Sequence, residues 1–192
     1  MRAKLIENYR RLKPSGNFGF TILEVLITAA IIGVITGIVV LKYGSFNNLI
    51  LLKNQAYQVA IDLRETQTRS LSVTGSTGDG FRRAYGIYFN TSTPDRYTLF
   101  LDTSPSNGIY DAGEELEIRN IDNRFLLKRL CSGSSEACHS VPALSIVFKR
   151  PNFDAIMNNG SISNGVIEIE TINGENAMRS VNVNAAGQIT VE

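Results

Sequence analysis

An α+β protein is the fold class the sequence predicts, a long N-terminal helix packed on an antiparallel β-rich head. Three observations predict it. Residues 20–41 form an apolar run whose only charge is Glu24. Apolar residues then recur at steps of three and four as far as Leu71. Beyond Gly80 that period gives way to short alternating runs between turn residues.

The chain of 192 residues is long enough for one folded head with an N-terminal appendage. Its composition, 43% hydrophobic and 19% charged, is that of a globular protein rather than a disordered one. The net charge of +1 hides an asymmetry. Residues 1–19 carry Arg2, Lys4, Arg10, Arg11 and Lys13 against Glu7, a net of +4, which leaves −3 for residues 20–192. That balance gives the larger part no overall basic field for nucleic acid.

The segment 20–41 spans roughly 33 Å as a helix, enough to cross a bilayer core. Basic residues before it place that side in the cytoplasm and everything after Leu41 outside. A secretory signal has a shorter apolar core and small residues at its cleavage site. An ordinary anchor accounts for the length but not for Glu24, since a carboxylate costs about 2.5–3.5 kcal/mol near a helix centre and less toward an end. Something must compensate it.

The junction reads Gly19-Phe20-Thr21-Ile22-Leu23-Glu24, with Gly33 further along the span. This resembles the N-terminal signature of type IV pilins and type II secretion pseudopilins. The resemblance implies that a prepilin peptidase cuts after Gly19 and methylates the new N-terminal Phe20. It also implies that Glu24 neutralises the amine of a neighbouring subunit. Physical reasoning agrees: glycine offers a protease an unobstructed backbone, and an intramembrane charge is tolerated when paired. The 19-residue leader is longer than many in the family, and no proline stands near Leu41, which points toward a minor pilin or pseudopilin.

After the span, Leu49, Leu52, Ala56, Val59, Leu63, Ser70 and Leu71 fall on one helical stripe, with Lys53, Asn54, Gln58, Asp62, Arg64 and Glu65 on other faces. The helix is expected to run to about Val73 and to end in the glycine loop 74–80. Strands are expected at 85–89, 96–102, 115–121, 125–130, 144–149, 166–172, 179–184 and 188–191. Asn164-Gly165, Asn173-Gly174 and Ala186-Gly187 are read as the turns between the last of them. Four segments follow: a leader at 1–19, a span at 20–41, an amphipathic continuation at 42–74 and a head at 80–192. A long helix followed only by strands resembles the GspH/FimT group. Arg69-Ser70-Leu71-Ser72, Tyr85-Gly86-Ile87 and the ending from Val181 to Val191 carry that likeness.

Cys131 and Cys138 are spaced to staple a small loop, provided their Cα atoms come within about 7 Å. His139 is the only histidine, so no zinc or haem site is expected. The loop 102–114 has acidic and oxygen-bearing side chains around a glycine, as calcium loops do. Ser104 and Ser106 stand where acids are usual, so a polar hairpin is the preferred reading. Basic pairs at Arg82-Arg83, Lys128-Arg129 and Lys149-Arg150 could hold a DNA backbone if they converged, but read more simply as solvated surface charge. No nucleophile and base pair, metal motif or phosphate loop stands out, and neither an enzyme nor a cofactor is expected.

The sequence thus leads to a structural subunit that sits in the inner membrane before entering an extracellular pilus or a pseudopilus. Its expected partners are other pilin or pseudopilin subunits, a prepilin peptidase and an inner-membrane assembly platform. A DNA-binding pilin for uptake or a major pilin is the alternative, and a non-assembling bitopic protein ranks third.

Overall fold

A computed structural model of the chain describes residues 19–72, 84–103, 106–134, 136–149, 151, 153–172 and 177–192, without the side chains of 43–46. The leader residues before Gly19, the loop 74–80, Arg82-Arg83, Ser104, Arg150 and Asn173-Gly174 lie outside the described residues. The chain divides into two compact units, Met1–Tyr43 and Gly44–Glu192.

Helix α1 runs over Ile22–Leu71. Over residues 22–41 its side chains are apolar on every side apart from Glu24, Thr28 and Thr36, and the large ones are 52–83% exposed. A helix without a polar face has no stable place in water, which makes this segment one that lipid or partner helices must cover.

In the second unit α1 joins two five-stranded antiparallel sheets. One has the order β3-β2-β1-β6-β7 and comprises β1 Ala84–Asn90, β2 Arg96–Asp102, β3 Glu115–Asn120, β6 Ala143–Phe148 and β7 Ala155–Met157. The other, β10-β9-β8-β4-β5, comprises β4 Phe125–Ser132, β5 His139–Val141, β8 Asn164–Thr171, β9 Met178–Asn184 and β10 Ile189–Val191. Leu52, Ala56, Val59, Ala60 and Leu63 of α1 share one core with both sheets. From the first sheet come Ile87, Phe89, Leu144, Ile146 and Phe148, and from the second Leu127, Leu130, Ile167, Ile169 and Val181. Burial of such side chains, each stabilising by about 1.5–3 kcal/mol, is what holds the helix to the sheets.

Four expectations need correction. Leu49 is 43% exposed, because it stands almost a turn ahead of Leu52, the first helical residue in the core. Asp62 is buried, because Tyr97 and Gln58 supply hydrogen bonds to its carboxylate. The helix ends at Leu71, two residues early. Asn164-Gly165 is not a turn but the start of β8, where Gly165 pairs with Val183 and Ser132. A Cβ there would stand 2.9 Å from Met157 Sδ and 3.1 Å from a Leu144 methyl, so the glycine serves close packing between the sheets. The turn before β8 uses Asn158, Asn159 and Gly160, all at positive φ. Two strands, β5 and β7, were not expected, and at three residues each they are too short to show alternation.

Candidate functional site

The junction at the start of α1 is built by its own residues. Gly19 is exposed and a Cβ there would meet nothing within 4 Å, so its backbone is unobstructed. Phe20 is 78% exposed. Thr21 caps the helix: the Glu24 N–H donates to its Oγ1 at 3.2 Å. Thr21-Ile22-Leu23-Glu24 therefore has the Thr-x-x-Glu pattern of a capping box, a signal present in the sequence that the reading above passed over. Glu24 lies in the first turn, where the helix dipole favours an anion. No cation among the described residues forms an ion pair with it. The carboxylate is thus held at the opening of an apolar helix with its charge uncompensated within the described chain.

Cys131 and Cys138 are joined, with Cα atoms 5.0 Å apart. Cys131 is fully buried on β4, opposite Ser140 of β5, so the bond ties the hairpin at the edge of the second sheet. Gly133, at φ 112°, lets the enclosed loop turn back, since a Cβ there would lie 2.5 Å from the Ala137 carbonyl.

The loop from β2 to β3 has its carboxylates occupied. Asp102 accepts from Asn107 N–H at 3.1 Å, Gly108 N–H at 3.0 Å and Ser106 Oγ at 3.1 Å. Glu114 accepts from Thr103 N–H at 2.7 Å and Asp111 N–H at 3.1 Å. Those bonds make a self-capped polar turn, and among the described residues no cluster of three potential metal ligands forms. Tyr110, from the same loop, stacks on Tyr88 and helps cover Ala84, Phe100 and Val147 on the outer face of the first sheet.

The basic pair Lys128-Arg129 is engaged. A bulge between Leu127 and Arg129 interrupts strand alternation, so consecutive residues reach the same row of carboxylates. Lys128 Nζ lies 2.8 Å from Glu170, and Arg129 makes a two-pronged pair with Glu168 at 2.8 Å for each bond. Arg82-Arg83 and Arg150 fall outside the described residues.

Comparison with known proteins agrees with the junction. Residues 14–40 match the family described as Prokaryotic N-terminal methylation motif, so the N-terminal segment carries the type IV pilin signature. Among solved structures, the chain is similar to the type IV minor pilin FimU of Pseudomonas aeruginosa, strain PAO1. The identity is 14% and the TM-score 0.43, over 77% of this chain and 92% of that one. No curated protein matches it.

Proposed function

We propose that this chain is a structural subunit, a minor pilin or pseudopilin, that waits in the inner membrane and enters a type IV pilus or type II secretion pseudopilus through α1. Prepilin peptidase cuts between Gly19 and Phe20 and methylates Phe20. An assembly platform then lifts the subunit out, and Glu24 pairs with the N-terminal amine of a neighbouring subunit. The observation that carries this reading is an exposed apolar stretch of α1, residues 22–41, whose first turn holds one carboxylate with no ion-pair partner among the described residues, five residues after Gly19. Assembly exchanges lipid contacts for helix contacts along that surface. The head's role is to pack and to present surface, not to catalyse. Mass spectrometry of the mature N-terminus tests the processing step. A chain beginning at N-methylated Phe20 is expected, and a chain still beginning at Met1 in peptidase-positive cells contradicts it.

A further inference from the structure

Three of the four sheet edges are closed by the fold itself. On β10 the Ile189 carbonyl accepts from Arg64 Nη2 at 3.2 Å. On β7 the Ala155 N–H donates to the Ala185 carbonyl at 2.9 Å, and the Met157 carbonyl accepts from the Gly160 N–H at 2.9 Å. β5 is three residues long and is followed by Pro142. Outside hydrogen bonds, shortness and proline each keep an edge from pairing. β3, the fourth edge, has none of these over residues 117–120 among the described residues.

The direction of its backbone groups follows from one bond. The Ile121 N–H donates to the Asp95 carbonyl at 2.8 Å, on the β2 side. Alternation then turns the backbone groups of Arg119 and Glu117 toward β2 and those of Ile118 and Asn120 away from it. No partner for these outward groups lies among the described residues. A bulge that skips Leu116 bounds the free stretch at one end, and Asp122, bonded to Gln55, bounds it at the other. Ile118 is 53% exposed.

What complements this stretch is a second copy of it. Laid antiparallel about Ile118, it sets Ile118 against Ile118 of the second copy and, twice, Glu117 against Arg119. Apolar and opposite-charge pairs directly across an antiparallel seam are both favourable. Within one copy Glu117 and Arg119 already pair at 2.9 Å, but their side chains are 43% and 33% exposed, so that pair contributes little and is readily exchanged. Other charges nearby are occupied. Glu115 accepts from the Tyr110 hydroxyl and the Gly113 N–H, and Arg96 pairs with Asp95. On the helix side Asp62 accepts from Tyr97, and Glu65 pairs with Arg69.

We infer that two copies of this chain join β3 to β3, antiparallel about Ile118, so that their five-stranded sheets become one continuous sheet. The cross-strand row Tyr88, Thr98 and Ile118 then runs on across the seam. Four residues a side is far less than the about 1,600 Å² of a standard interface, so the pairing is weak and forms where copies are concentrated. It uses the second unit alone and gives the subunit a means of recognising its own kind that is separate from α1.

The test is oxidative cross-linking of the full chain in detergent. Cys131 and Cys138 are joined, so Ile118→Cys supplies the one free thiol among the described residues. Residues opposite each other in a hydrogen-bonded pair have Cα atoms about 5.5 Å apart, within disulfide reach, so a linked dimer should form. Phe153→Cys, at a position 61% exposed, should give far less. Adding Arg119→Glu or Glu117→Arg to the Ile118→Cys chain sets like charges opposite each other, and each should lower the yield about tenfold. Mixing those two chains restores opposite charges and should return the yield as a heterodimer. Ile118→Pro leaves the fold its bonds to β2 and removes only the outward N–H, so any dimer seen on sedimentation should be lost. Absence of a linked dimer at Ile118→Cys, or equal linking at Phe153→Cys, overturns the seam. A dimer unchanged by Ile118→Pro does the same. Mixed charge variants that stay unlinked, or stronger linking at Glu117→Cys than at Ile118→Cys, overturn this register.

Discussion

The Tyr97 hydroxyl donates a 2.6 Å hydrogen bond to Oδ2 of Asp62, and both residues are buried between α1 and β2. The other carboxylate oxygen accepts from Gln58 Nε2 at 2.8 Å. A charged residue on the buried side of the helix is thereby satisfied and fixes the helix against the first sheet in rotation and register. Tyr97→Phe leaves that oxygen without its donor and should cost about 1–3 kcal/mol. Denaturant unfolding of Tyr97→Phe, Asp62→Ala and the double variant checks it. The double variant should cost less than the sum of the two, and strict additivity would dissolve the pair.

The same bond has a signature in alkali. Burial, reinforced by Asp62, raises the Tyr97 hydroxyl well above the ordinary tyrosine range. Burial, with Glu115 accepting its hydroxyl, pushes Tyr110 up to about 12. Folded pKa values above the unfolded value mean stability fully present below about pH 10 and lost as pH rises beyond it. Absorbance titration should show Tyr110 ionising late and Tyr97 only as the head unfolds. All seven tyrosines titrating together near pH 10 in folded protein would contradict this.

Gly187 should tolerate no side chain. It sits at φ 76°, and a Cβ would stand 1.9 Å from the Phe153 carbonyl oxygen. Gly113 has φ 100° with nothing within 4 Å of a Cβ. Gly113→Ala carries backbone strain alone, of order 1 kcal/mol, whereas Gly187→Ala also displaces the carbonyl that Gln67 holds at 3.0 Å and should cost 2 kcal/mol or more, about twice as much. Thermal midpoints of the two variants in detergent decide it.

The cystine should be detectable directly. Without reductant the intact mass should be two hydrogens below that of the reduced protein, and a maleimide should label neither thiol. Closing so short a loop stabilises by about 2–3 kcal/mol, so reduction should lower the denaturation midpoint. Full maleimide labelling of folded protein would remove the bond.

Arg129 and Lys128 should behave differently. Glu168 is only 4% exposed and loses both its bonds in Arg129→Ala, which should cost about 1–3 kcal/mol. The Lys128 side chain is 53% exposed, and Lys128→Ala should cost less than about 1 kcal/mol. Because both cations are engaged, micromolar protein should not shift DNA even at low salt. A salt-sensitive shift abolished at Lys128 and Arg129 would revive the uptake reading.

Much of this architecture is legible in the sequence because periodicity reports burial. Leu52, Ala56, Val59 and Leu63 are spaced for one face, and the β2 boundaries 96–102 follow from alternation alone. What escapes depends on contacts distant along the chain. Asp62 reads as surface because its donor Tyr97 is 35 residues away. Gly165 reads as a turn because the side chains pressing on it belong to β6 and β7. Thr21 differs from these: its Thr-x-x-Glu spacing to Glu24 is a local capping signal, readable without any distant contact.

Incorporation of Glu24→Val into filaments is the measurement that tests the central claim most directly. Thr21 still caps the helix and the span becomes more apolar, so the variant should insert and lose its leader normally. What it lacks is the charge proposed above to offset a neighbour's N-terminal amine. An unpaired buried charge costs about 3–5 kcal/mol, and at about 1.4 kcal/mol per tenfold, incorporation should fall by two orders of magnitude or more. The comparison is N-terminal sequencing of membrane protein beside quantification in sheared filaments. A cleaved Glu24→Val chain present in membranes and nearly absent from filaments is the expected result. Wild-type incorporation of that cleaved chain would show that the carboxylate does not guide assembly.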